Sequence, residues 1–170
     1  MTRFPKTAGI LAALMMFGGC AASAPEASSA SLGVANPLIM YESVEAIAEA
    51  VDFSFQVPAE APEGYTLSVC YTVLDEIVSL EYTDGEQEVL YRTAKASDKY
   101  DPDVSISGDY TDYKMTTTVP VGDFEVTFSC DGETSPGLAL WSGNDMLYSL
   151  SGLTLEEAEN CIYSLTWLDS

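Results

Sequence analysis

The chain has 170 residues, with 27 acidic and six basic side chains, no histidine, and a formal net charge of −21 at pH 7. Such a charge repels phosphate backbones and anionic lipid headgroups, so we expect no nucleic-acid binding and no direct binding to an anionic membrane surface. The absence of histidine also removes the usual general base near neutral pH and the commonest zinc ligand.

The first 19 residues have the pattern of an export signal. Arg3 and Lys6 precede an apolar run at 10–17, which is too short for a permanent membrane helix and ends in two glycines before Cys20. Small residues ahead of a cysteine resemble a bacterial lipobox. We therefore predict a lipoprotein signal peptide at 1–19 and acylation of Cys20, for example with palmitate. An ordinary secretory signal and an uncleaved anchor are the alternatives.

The next segment, 20–36, is rich in alanine and serine and contains no aromatic residue. It has too little apolar surface to fold, which is typical of a flexible tether. We therefore predict one folded domain at 37–170, held at the extracytoplasmic face of the cell membrane by the lipid anchor alone.

The folded part begins with a predicted amphipathic helix at 36–51. Asn36 is suited to cap this helix and Pro37 to occupy its first position. Apolar residues recur at helical spacing, at Met40, Val44, Ile47 and Val51.

Short alternating runs separated by turn residues follow from Phe53 to Leu150 and predict about six to eight antiparallel strands in a meander-like order. In "YTLSVCYTV" the odd-numbered residues from Tyr65 to Val73 share one predicted face, which leaves Cys70 exposed on the other. One-sided alternation predicts a sheet with one covered face.

A second amphipathic helix is predicted near the end of the chain. Thr154 and Glu157 form a capping box, and an apolar stripe follows at Leu155, Ala158, Ile162 and Leu165. The fold class we predict is α+β, with the N-terminal and C-terminal helices covering one face of the sheet.

Three cysteines remain if Cys20 is acylated. Cys130 and Cys161 fall on predicted core-facing positions, which favours either buried thiols or one structural disulfide between them.

Several blocks of the sequence, "FSFQVPAEAPEGYTL", "EIVSLEYTDG", "LYRTAKAS" and "LALWSGNDMLYSLSGLTLEEA", resemble the DUF4367 family of extracytoplasmic domains over roughly residues 50–166. The resemblance implies an α+β domain outside the membrane of Gram-positive bacteria, in lipoproteins and in proteins similar to anti-sigma factors. It implies sensing or partner binding and brings no established catalytic residues.

An irregular acidic segment separates the predicted strands near 96–112. Clustered carboxylates in a loop are typical ligands for calcium, although an EF-hand pattern is missing and a solvated acidic loop explains the cluster as well. The candidate ligands are Asp98, Asp101, Asp103, Asp109 and Asp112.

The remaining candidates are a carboxylate-dependent hydrolase and an aromatic binding platform. Carboxylate pairs are too numerous to identify a catalytic pair, and no nucleophile or phosphate-binding motif is present. The platform would comprise Tyr82, Tyr91, Trp141 and Tyr148, unless these are ordinary strand and core residues. We predict a non-enzymatic domain without a cofactor that binds or senses a protein or a wall component.

Overall fold

The computed structural model describes residues 37–97, 99–100 and 105–170, within the unit Ala35–Ser170 of the chain. The helices are α1 (Val44–Ala50) and α2 (Leu155–Tyr163). The strands are β1 (Leu38–Tyr41), β2 (Phe55–Pro58), β3 (Thr66–Val73), β4 (Ile77–Thr83), β5 (Glu88–Lys95), β6 (Met115–Val121), β7 (Phe124–Cys130), β8 (Gly137–Gly143), β9 (Met146–Leu153) and β10 (Leu165–Leu168). The prediction of a sheet-dominated α+β fold is confirmed.

Eight of the strands form one antiparallel sheet in the order β1-β3-β4-β5-β9-β8-β7-β6, and β2 pairs with β10 in a separate two-stranded sheet. The large sheet consists of two meanders, β3 to β5 and β6 to β9, which meet where β5 pairs with β9. The chain therefore crosses from β5 to the far edge of the sheet and returns toward the centre. A single continuous meander does not describe this order.

The hairpin turns form at residues that favour turns in the sequence. Gly85 has a φ of 97°, and the Asp84 carboxylate accepts hydrogen bonds from the backbone amides of Glu86 at 2.8 Å and Gln87 at 2.7 Å. Asn144 and Asp145 both have positive φ, as a two-residue hairpin of type I′ requires. These local signals place the strand ends because few residues tolerate such backbone angles.

The prediction of one helix over 36–51 is wrong. Residues 38–41 form a strand, in which Tyr41 lies opposite Cys70 of β3, and α1 begins only at Val44. Ser43 is the N-cap, since its hydroxyl accepts a hydrogen bond from the Ala46 amide at 3.2 Å. The apolar spacing that suggested one helix is divided between two elements, because pairing with β3 is available only in the folded chain.

Helix α2 begins as predicted. Thr154 and Glu157 form a reciprocal capping box, with the Thr154 amide donating to the Glu157 carboxylate at 2.9 Å. The helix buries Ala158, Cys161 and Ile162. It ends at Tyr163, and Leu165 lies in β10, a strand that the sequence pattern did not predict.

The two faces of the large sheet differ, and we call them the first and the second face. Leu80 and Tyr91 lie opposite each other on the first face, and Ser79 and Arg92 on the second. The main apolar cluster contains first-face residues together with residues of α1, β2 and α2. At its centre Trp141 stacks on Tyr148, with ring centroids 5.2 Å apart and an interplanar angle of 9°.

The second face carries a smaller apolar cluster of Ile77, Ala94, Ile106 and Leu147. Ile106 belongs to the connection between β5 and β6, whose described residues form no helix or strand. Arg92 ties this connection to the sheet, donating to the backbone oxygens of Ile106 at 3.3 Å and Ser107 at 2.8 Å. Among the described residues, Arg92 and the buried Ile106 thus attach the acidic connection to the second face, and Lys99 and Tyr100 add contacts to Glu76.

Candidate functional site

Most of the predicted calcium ligands and the lipidation site lie outside the described residues, namely Cys20, Asp98, Asp101 and Asp103. The Asp109 carboxylate accepts hydrogen bonds from the Thr111 amide at 2.8 Å and the Tyr113 hydroxyl at 2.6 Å. Burial alone would raise the pKa of Asp109, but these hydrogen bonds outweigh it and lower the pKa. Burial, reinforced by the bond to Asp109, raises the pKa of Tyr113 to about 12.

Asp112 is exposed. Among the described residues, no group of three or more acidic or cysteine side chains is arranged to hold a metal ion. Calcium binding by the complete segment stays a prediction, because three of its five aspartates are not described.

All three described cysteines are buried free thiols. The disulfide considered between Cys130 and Cys161 is therefore not formed in this structure, and each thiol packs in the main apolar cluster as a small hydrophobic group. Burial raises the pKa of Cys161 to about 12, so its nucleophilic thiolate is scarce at neutral pH. The expectation that Cys70 is exposed is wrong, because a register shift between Leu67 and Val69 places Cys70 opposite Leu80 on the first face, in the main apolar cluster. Its thiol donates to the Tyr41 oxygen at 3.4 Å.

The four aromatic residues of the predicted platform are buried: Tyr82, Tyr91, Trp141 and Tyr148. The hydroxyl groups of Tyr91 and Tyr148 both donate to Gln56 of β2, at 2.7 Å to its backbone oxygen and 2.8 Å to its side-chain oxygen. Tyr91 and Tyr148 therefore connect the large sheet to β2 inside the core, and the four aromatic side chains do not form an exposed platform.

A surface groove is instead formed by three adjoining cavities, which we call the rim groove. The first cavity, of about 350 Å³, lies between residues 60–63 and α2. The second, of about 280 Å³, lies among α1, β2, β10, β3 and β4, and the third, of about 210 Å³, lies between β1 and β3. Ala61 lines both the first and the second cavity, and Leu67 lines both the second and the third, so the three cavities adjoin one another.

The floor of the second cavity is apolar. Val57, Leu80 and Tyr82 form its buried part, and Leu67 projects from β3 with 41% of its surface exposed. Burial raises the pKa of Tyr82, which keeps its hydroxyl neutral and able to donate a hydrogen bond.

A β-bulge directs Leu67 toward this floor. The register of β3 against β4 shifts between Leu67 and Val69, so that Leu67 lies opposite Tyr82 and Val69 lies opposite Glu81. Leu67 is thereby placed on the first face and separated from Val69, with which the alternating pattern had grouped it. A bulge turns the following side chains over, which simple alternation cannot predict.

The edges of the rim groove are acidic. Five exposed glutamates line the three cavities, and no lysine or arginine does: Glu42, Glu45, Glu60, Glu63 and Glu157. Hydrogen bonds to its own backbone amide and to Ser43 lower the pKa of Glu45. The Glu157 carboxylate is engaged in the capping box of α2. An apolar floor between carboxylates suits a ligand that is both apolar and positively charged.

The rim groove was not predicted from the sequence. Its lining comes from two helices and six strands that are distant along the chain, and no local pattern brings them together. The one available signal was "PAEAPEG" at 58–64, where β2 ends in Pro58 and is followed by Glu60, Pro62 and Glu63, all of which line the first two cavities.

No known family model, curated protein or solved structure matches this chain. The resemblance to DUF4367 stays a prediction. In the part of the chain that the structure describes, no helix is both long enough and apolar enough to cross a membrane.

Proposed function

We propose that this domain is a non-enzymatic binding module, and that the rim groove holds a cationic, amphipathic segment of another polypeptide. The observation that carries the proposal is the combination of an apolar floor in the second cavity with five glutamates and no basic residue along the three adjoining cavities. Apolar side chains of the partner would fill the cavities, and its lysine or arginine residues would contact the edges.

The energetics of the groove support a polypeptide partner. Burying apolar surface contributes about 25 cal/mol per Å², and the exposed side chain of Leu67 is available for such burial. The acidic edges attract a basic partner and speed its association, within a screening distance of about 8 Å at physiological ionic strength. The same edges disfavour nucleic acids and anionic lipids.

The proposed location is the extracytoplasmic face of the membrane, with acylation at Cys20 and a tether at 20–36. β1 follows that tether directly, and its Met40 and Tyr41 line the third cavity. An anchored domain would therefore have one end of the groove beside its attachment point. Metabolic labelling with a fatty acid tests the anchor, since Cys20→Ala should abolish incorporation and continued incorporation would contradict it.

The arrangement of the helices over the sheet is also part of this proposal. α1, α2 and β2 each contribute residues to the main apolar cluster, which supports a cover over the first face made jointly by helices and the small sheet. Membership of the DUF4367 family, in which sensing or partner binding is implied, is proposed on the sequence blocks alone.

The groove is tested with the full chain and two synthetic probes. A peptide of alternating leucine and lysine should bind, and its analogue with glutamate in place of lysine should not. Glu45→Lys and Leu67→Ser should each raise the Kd for the leucine–lysine peptide about tenfold, as measured by fluorescence anisotropy.

The matched controls lie away from the groove. Glu125→Lys reverses an exposed charge on β7, and Leu74→Ser removes an exposed leucine at the turn between β3 and β4. If the groove variants bind the peptide as tightly as these controls do, the rim groove is not the binding site.

A further inference from the structure

The strand β6 ends the large sheet, and its outer edge has no partner strand among the described residues. It has seven residues, of which the first four are exposed and Pro120 is exposed near its end. An exposed edge strand presents backbone groups that are ready to pair with another strand.

The composition of this strand is unusual in so acidic a chain. Lys114 precedes it and Asp123 follows it, and no charged residue lies between them. Threonine and valine, which favour strands, supply five of its seven residues. β6 thus provides an uncharged edge at which two copies of an acidic protein can approach each other.

The hairpin geometry shows which backbone groups face outward. A two-residue turn at Gly122 and Asp123 joins β6 to β7, so Val121 and Phe124 form the hydrogen-bonded pair beside it. Alternation then directs the backbone groups of Thr116, Thr118 and Pro120 away from β7. Proline at an outward position costs no bond within the sheet.

The outward residues are also held in place. The Thr116 and Thr118 hydroxyls lie 3.0 Å from the Ser129 hydroxyl and 3.5 Å from the Thr127 hydroxyl of β7. The strand is therefore ordered before any partner arrives, which lowers the entropy cost of pairing.

We propose that β6 pairs antiparallel with β6 of a second copy of this chain and continues the sheet across a two-fold axis at Thr118. In this register Thr118 faces Thr118, Thr116 faces Pro120, and Lys114 faces Gly122 next to Asp123 of the partner subunit. Lys114 lies 3.5 Å from the Asp131 carboxylate of its own chain, an exposed ion pair that this contact would supplement or replace. Opposite charges at the two ends of the strand favour this self-complementary arrangement over a parallel one.

The pairing is limited by Pro120, which has no amide to donate. Two backbone hydrogen bonds join the two Thr118 residues. Each Thr116 amide also donates to the Pro120 oxygen of the other copy, which gives about four hydrogen bonds in all. Proline on an edge strand restricts strand addition. The association is therefore reversible and depends on concentration.

Sedimentation equilibrium of the full chain over a range of concentrations tests the proposal. We expect a monomer–dimer equilibrium, whose association constant falls at least about tenfold in Thr118→Lys, because two lysines then face each other across the axis. Thr66→Lys changes an exposed threonine on β3 and serves as the control.

A charge exchange tests the register. Lys114→Glu should weaken association, and the double variant Lys114→Glu with Asp123→Lys should restore it. A constant monomer mass, or equal association in Thr118→Lys and Thr66→Lys, would overturn the pairing. If the association constant of the double variant stays as low as that of Lys114→Glu, the antiparallel register is wrong. None of these residues lines the rim groove, so either proposal can fail without the other.

Discussion

The two faces of the large sheet are covered by different physical means. The first face packs in one apolar cluster with residues from α1, β2 and α2. The second face has only four residues in its apolar cluster, and Arg92 fastens the acidic connection to it through backbone oxygens. A loop whose described residues include one fully buried apolar side chain, Ile106, can therefore still cover a sheet when a cation binds its backbone.

Arg92 suits this role because its guanidinium is a rigid fork of donors. One terminal nitrogen donates to the two loop oxygens, and the other lies 3.4 Å from the Tyr71 hydroxyl. The backbone approaches closely at Gly108, where an added Cβ would lie 2.6 Å from the guanidinium. A positive φ of 69° also favours glycine at this position.

The largest loss of stability is expected from a substitution on the first face. Leu150→Ala removes a side chain that is 1% exposed and leaves a cavity, which should lower the free energy of unfolding by about 2–5 kcal/mol. Chemical denaturation measures the change. Leu140→Ala on β8 is the control, because Leu140 points to the second face and is half-buried. Equal losses in the two variants would contradict the distinction between the faces.

The second face should respond through its loop. Arg92→Met removes the donors to Ile106 and Ser107, and we expect a loss of about 1–3 kcal/mol in the free energy of unfolding. Limited proteolysis should then cut within residues 96–114 faster than in the unchanged chain. Lys95→Met removes an exposed charge from the same strand and should leave the cleavage rate as it was. Unchanged cleavage in Arg92→Met would show that the arginine does not hold the loop.

A smaller loss of stability is expected from a substitution at the start of α2. Thr154→Ala removes the N-cap hydroxyl of the capping box and should cost about 1 kcal/mol of stability, measured by thermal unfolding. Thr134→Ala, at an exposed position before β8, is the matched control. A loss of stability that is larger in Thr134→Ala than in Thr154→Ala would mean that the cap contributes little to the packing of α2 on the first face.

The smallest effect concerns the start of the acidic connection, where Glu76 pairs with Lys99 and accepts a hydrogen bond from the Tyr100 hydroxyl at 3.0 Å. Hydrogen bonds from Lys99 and Tyr100 lower the pKa of Glu76 from its ordinary value of 4.5. A lowered folded-state pKa adds stability above the ordinary value, and this stability is lost as pH falls through the folded-state pKa.

Glu76→Gln should therefore reduce the loss of stability on acidification below pH 4.5, as measured by unfolding at a series of pH values. Glu86→Gln, in the exposed hairpin turn, provides the comparison. If the stability of both variants falls equally as the pH is lowered, the Glu76–Lys99 pair has no role in the acid dependence. The pKa of Lys99 is raised, chiefly by its hydrogen bond to Glu76, so its share of the stability is lost only at alkaline pH.

Local chemistry in the sequence determined much of the fold. The turn at Asp84 and Gly85, the capping box of Thr154 and Glu157, and the alternation along β7 each depend on residues close together in the chain. Backbone angles, end caps and two-residue periodicity act over short distances, so they could be predicted without knowing the neighbours.

Tertiary structure decided the rest. Met40 and Val44 lie at helical spacing, yet pairing with β3 makes the first a strand residue. The bulge beside Leu67 turned that side chain toward Tyr82 and completed the rim groove. Cys70 is buried because the same bulge places it on the first face, in the main apolar cluster. In each case the energy comes from partners distant in sequence, and hydrophobic spacing shows that a residue will be buried without specifying the surface that buries it.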